Sequence, residues 1–296
     1  MRKSIFYLCI ALCVVGCNAN ENDKKRNIIF VSIVPQKYFV ERISGDIFEV
    51  KVMVPPGASP ATYEPLPRQL NSLTEASAYF RIGHIGFEKS WMARIQSVNP
   101  RMPVFDLSHG VELITTGDTV YGDLDHEHGT DPHIWLSPKE VKIIAGNAYK
   151  ALAQLDKDRN GFFYDNYREF IREVDELDGK LKRRLEPYSG YSFLIFHPSL
   201  SYIARDYNLH QFAIEWEGKE PSPGHLKDLI DRGEAENIRA VLVQEQFDMD
   251  NARAIADELG GRVVRINPLE EDWEISIIKI IDSLVRVFEE KTDKID

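Results

Sequence analysis

With 36 basic and 47 acidic side chains in 296 residues, the chain has a formal charge of −11, which disfavours nucleic acid and attracts cations only diffusely. Its three cysteines, Cys9, Cys13 and Cys17, all lie within the first 17 residues. The rest of the chain therefore holds no disulfide and no thiolate metal site. Any metal there must be bound by nitrogen and oxygen donors.

Arg2-Lys3 precedes a short apolar run that ends Val14-Val15-Gly16-Cys17. The run is too short to span a bilayer and has the layout of a secretory leader. Its last four residues resemble a bacterial lipobox, which implies cleavage after residue 16 and a lipid on Cys17. Removing 1–16 leaves 34 basic against 47 acidic residues, a net charge of −13. Residues 17–27 are polar and charged and read as a tether.

An apolar strand is predicted over 28–33, running into a helix through 36–43. A second strand over 48–54 ends at Pro55-Pro56-Gly57. A short helix near 67–76 precedes strands at 78–82 and 104–107. Ser137-Pro138-Lys139-Glu140 predicts a helix start, with Ser137 as cap and Glu140 closing a capping box. Phe163, Tyr167, Phe170, Val174, Leu177, Leu181 and Leu185 then mark the apolar stripe of a helix of about 25 residues, ~38 Å long, with a stop at Pro187. The alternation restarts with strands at 192–196, 211–214, 240–244 and 262–266. Helices at 199–207, 222–235, 251–260 and 273–290 follow them. Strand–helix alternation predicts parallel sheets, hence α/β architecture: two Rossmann-like lobes joined by one long helix. The expected boundaries are a leader at 1–16, a tether at 17–27, lobes at 28–158 and 188–296, and the joining helix at 159–187.

Ligands of open parallel sheets bind beyond the carboxyl ends of the strands. Metal donors recur there: Glu64 after the second strand, His84 after the third, and His133 at the end of the first lobe. The second lobe adds His197, Glu245 and the run Glu270-Glu271-Asp272. Two imidazoles and a carboxylate suffice to hold a zinc-class ion. A loop Asp123-Leu124-Asp125-His126-Glu127-His128 offers His126 and His128 as auxiliary donors, and His109, His210 and His225 read as structural or surface residues. Neither a His-Glu-x-x-His helix nor a nucleophile elbow or Walker loop is present, and no Gly-x-Gly-x-x-Gly follows the first strand. These absences weigh against an enzyme, and a hydrolytic zinc site is the weaker alternative.

Several motifs occur in order with consistent separations. They include Pro56-Gly57-x-x-Pro60 with Tyr63-Glu64-Pro65, Gly83-x-x-x-Phe87-Glu88, Asp131-Pro132-His133-Ile134-Trp135-Leu136-Ser137-Pro138 and Phe196-His197. Glu220-Pro221-Ser222-Pro223, Glu245-x-Phe247 and Asn267-Pro268-Leu269 continue the series. Together they resemble the zinc- and manganese-binding solute-binding proteins of bacterial ABC transporters, over essentially the whole mature chain. The resemblance implies two lobes linked by a rigid helix with a metal in the cleft. It also implies a monomeric, lipid-anchored periplasmic or cell-envelope receptor that passes its metal to a membrane permease. His133 and His197 match two of the family's ligands, and Asp272 is taken as a late carboxylate ligand. Manganese-type members tend to carry Glu where this chain has His197, and imidazole suits zinc, so Zn2+ is expected over Mn2+. The family's first histidine falls at position 61, which here is Ala61. Water, Glu64, Glu245 or His84 are the candidates to fill that position, and a diverged ligand is the alternative reading.

Overall fold

The computed structural model describes residues 27–115, 129–215, 222–247 and 249–292. Cys17, His126 and His128 lie outside the described residues.

The first sheet contains β1 (Ile28–Val31), β2 (Glu49–Val52), β3 (Ala76–Arg81) and β4 (Val104–Asp106), in the order β2-β1-β3-β4. The second contains β5 (Ser192–Ile195), β6 (His210–Ala213), β7 (Ala240–Gln244) and β8 (Arg262–Ile266), in the order β6-β5-β7-β8. Every pairing is parallel, and the two sheets share one topology. Mostly apolar runs explain this. β1, β5 and β7 are buried at every position, as sheets covered by helices on both faces require. In both sheets the strand order reverses beside the first strand, and the crevice at the carboxyl ends opens at that point.

Helices α1 (Val34–Ser44), α2 (Pro67–Ser72), α3 (Gly86–Val98) and α4 (Pro138–Leu155) accompany the first sheet. With the second go α6 (Ser201–Asp206), α7 (Pro223–Ala235), α8 (Asp250–Glu258) and α9 (Trp273–Thr292). Between them runs α5 (Asn160–Leu185), whose 26 residues extend about 39 Å. It buries Phe163, Phe170, Val174, Leu177, Leu181 and Leu185 and gives way to a 3-10 turn containing Pro187. Tyr167 is half-buried and stacks on Tyr149, with centroids 5.2 Å apart. Two α/β lobes and a long central helix are thus observed, as expected. None of the described helices is long and apolar enough to cross a membrane.

Two local expectations are revised. Helix α3 was not anticipated, because it buries only Phe87, Glu88 and Ile95 and its apolar stripe is narrow. The start of α4 is only half a capping box. The Ser137 hydroxyl accepts from the Glu140 amide at 3.2 Å, but the Glu140 carboxylate receives the Arg205 guanidinium at 2.6 Å. Glu140 is fully buried, so pairing with a cation outweighs the local bond.

This pair belongs to a seam that joins the lobes. Arg205 also donates to the Glu112 carbonyl at 3.0 Å, and the Ser137 hydroxyl donates to Asp206. The Trp135 indole donates to the Pro268 carbonyl at 3.0 Å, and Trp273 donates to the Trp135 carbonyl at 2.6 Å. Through these bonds the start of α9 is fixed to the segment that carries His133.

Candidate metal site in the cleft

A cavity of about 210 Å³ lies at the carboxyl ends of both sheets. Its wall takes Pro60 and Ala61 from the loop after β2, His84 from the loop after β3, and Thr130 to His133 from the approach to α4. The second lobe contributes His197 after β5, Gln244 and Phe247 from the end of β7, and Pro268 and Leu269 after β8.

His133 and His197 face each other across the lobes, with ring centroids 5.1 Å apart at 75°. Each ring is held by a carboxylate on one nitrogen. His133 Nδ1 lies 2.8 Å from Asp131 Oδ1, and His197 Nδ1 lies 2.9 Å from Glu215 Oε2. A carboxylate on Nδ1 selects the tautomer that leaves Nε2 with a free lone pair, the arrangement that metal-binding histidines use. Packing fixes the rings further. His133 lies against Trp135 at 5.2 Å, and His197 stacks on Phe247 at 4.9 Å and 22°.

Neighbouring bonds set both partners. The Asp131 carbonyl accepts from the Tyr202 hydroxyl at 2.9 Å, and Tyr202 is itself buried in the seam. Gln244, 2 % exposed, donates to the His197 carbonyl at 2.6 Å and to the Ser199 hydroxyl at 2.7 Å. Burial lowers the pKa of His197 by more than the Glu215 bond raises it, so the ring stays neutral and able to ligate at neutral pH. Burial works against the Asp131 carboxylate, but His133 and the bonds around it hold its pKa below the ordinary value. The donor chemistry, two imidazoles each with a carboxylate on Nδ1, fits a zinc-class cation.

Other sequence candidates are placed differently. Asp272 is absent from the cavity wall; its Oδ1 accepts from the Ile275 amide at 3.1 Å, so it caps the first turn of α9. Glu245 is exposed while Gln244 and Gln246 line the cavity, because alternate residues at the end of a strand point to opposite sides. Glu64 is exposed and also outside the wall. His84, by contrast, lines the same cavity as the two facing imidazoles, and burial lowers its pKa. Ala61 stands in the wall where the motif order puts it. Among the described residues, His, Cys, Asp and Glu form no group of three able to hold a metal ion. Asp131 and Glu215 were not anticipated as partners. Asp131 was visible in Asp-Pro-His, but Glu215 lies 18 residues from His197 and meets it only through the β5–β6 pairing.

The family model for the zinc-uptake complex component A, periplasmic, matches residues 29–295. A crystal structure of ZnuA superposes with a TM-score of 0.82 at 39% identity, covering 88% of this chain and 99% of the other. A zinc-bound crystal structure of a ZnuA deletion mutant superposes with the same score at 40% identity, covering 88% and 98%. The high-affinity zinc uptake system protein ZnuA of Bacillus subtilis is 25% identical over 89% of this chain and 86% of its own length. The zinc-binding lipoprotein AdcA of Streptococcus pneumoniae is 24% identical over 99% of this chain, which spans 62% of that relative's length. By this match, and by the paired lobes and cleft that accompany it, the chain belongs to the zinc-uptake complex component A family.

Proposed function

We propose that the protein is an extracytoplasmic receptor that captures one Zn2+ ion between His133 and His197 and delivers it to the permease of an ABC transporter. The observation that carries this reading is the facing pair of imidazoles, each with Nδ1 on a carboxylate and, among the described residues, neither paired at Nε2. The zinc-bound relative at 40% identity supports the choice of metal. Bound metal joins a ligand from each lobe, so the loaded form differs from the empty one at the face a permease would read. Lobes at 28–158 and 188–296 around a joining helix at 159–187 are the proposed division of the chain.

Titration against a calibrated chelator tests the reading. One zinc per chain with a dissociation constant well below micromolar is expected, and micromolar or weaker binding would contradict it. In zinc-limited cells lacking any redundant importer, deletion of the gene should reduce zinc accumulation.

The leader and the AdcA-type lipoprotein relatives further support lipidation at Cys17, with residues 17–27 as the tether. Several acyl chains anchor stably where one does not. Cys17→Ser is expected to shift the protein from the membrane fraction to the soluble fraction or to block its processing. Unchanged membrane association would rule out lipidation there.

A further inference from the structure

We propose that His84 supplies the third imidazole to the metal, in place of the histidine that Ala61 does not provide. The proposal rests on the receptor reading above and concerns one residue of the same cavity.

The backbone at His84 is unusual. Its φ is +67°, and the Ile85 amide donates to the Gly83 carbonyl at 3.0 Å, closing a three-residue turn with His84 at its centre. Positive φ with an i to i+2 bond is the γ-turn of the rare, strained sense. Among the described residues, the other non-glycine positions with positive φ are Asn208 and Asn237, and asparagine tolerates that region readily. Backbone strain of this kind persists only where the surroundings enforce it.

The surroundings do enforce it. The buried Glu88 carboxylate accepts from the amides of Ile82 at 2.7 Å and Gly83 at 2.8 Å, and from the Ser32 hydroxyl. Gly83 has a φ of +84°, and a Cβ there would collide with the Ser108 side chain. On the far side of the turn, a Cβ at Gly86 would collide with the Ala61 carbonyl, and the Phe87 amide donates to the Pro60 carbonyl at 2.8 Å. The turn is therefore bonded to the strand below it and pressed against the loop that carries Ala61. The result is an imidazole in the cavity wall beside the alanine, in a cavity that His133 and His197 also line. The three rings do not yet converge on one point. His84 reaches the ion by rotating its side chain from this fixed base when metal enters.

The test uses His84→Gly, because glycine adopts φ of +67° without strain and the variant keeps its fold. Zinc affinity by chelator competition is expected to fall about tenfold or more, without a lower melting temperature. Zinc-edge X-ray absorption is expected to count one imidazole fewer than in the parent. Adding Ala61→His to this variant should recover at least about tenfold in affinity, whereas in the parent the same substitution should gain much less. Parental zinc affinity in His84→Gly, while His133→Ala weakens binding, would overturn the role of His84 alone. Weaker binding with an unchanged imidazole count would also overturn it, leaving only a positioning effect. Parental affinity in His133→Ala as well would remove the receptor reading itself.

Discussion

Alanine at His133 or at His197 is expected to weaken zinc binding by at least about a hundredfold, or ~2.8 kcal/mol. Each substitution deletes one of the two imidazoles that face each other across the lobes at 5.1 Å. The double variant should show no binding in the chelator assay. Its loss should be smaller than the sum of the single losses, because both rings act on one ion. Each variant also removes one hydrogen-bond partner from a carboxylate, Asp131 or Glu215. A stability cost of about 1–3 kcal/mol follows from the unmade bond, so affinity must be compared below the melting transition of each variant. If the folded single variants bind zinc as the parent does, the two imidazoles are not the ligands.

Trp273→Ala carries the largest expected cost to stability. The side chain is 1 % exposed, its ring meets Phe39 edge-on at 5.4 Å, and its indole donates to the Trp135 carbonyl at 2.6 Å. Removing a buried tryptophan costs about 3–5 kcal/mol in transfer and cavity energy. The Trp135 carbonyl also loses its donor. Trp273→Phe keeps most of the ring packing and should cost less, on the order of 1–2 kcal/mol, mainly from the lost bond. Urea denaturation measures both. The damage should extend to the cleft, because Trp135 packs against His133 and donates to the Pro268 carbonyl. A cost below about 1 kcal/mol for the alanine variant would show that the seam around Trp273 is not what joins the final helix to the first lobe.

The parts of the structure legible in the sequence are those governed by short-range pattern. Unbroken apolar runs at 28–31 and 240–243 announce strands buried on both faces, and the three-and-four spacing from Phe163 to Leu185 announces the central helix. His133 and His197 were readable because each follows a recognisable motif at the edge where parallel sheets bind ligands. What was not readable depends on long-range contact or on orientation. The Arg205 guanidinium that takes Glu140 from its cap comes from the other lobe, 65 residues away. Whether Glu245 faces the cleft depends on the phase of one pleat, which places Gln244 and Gln246 in the wall instead. Asp272 immediately precedes an apolar helix, where a cap and a ligand look alike in sequence, and in the structure its Oδ1 accepts from the Ile275 amide. At His84, the left-handed backbone that makes the residue stand out has no sequence signature beyond the glycine before it.

The most direct test of the zinc site is diffraction at the zinc absorption edge from crystals of the protein loaded with one equivalent of zinc. The anomalous map should contain one strong peak per chain, about 2.0–2.1 Å from Nε2 of both His133 and His197. A peak elsewhere in the molecule, or one that touches neither ring, would contradict the account.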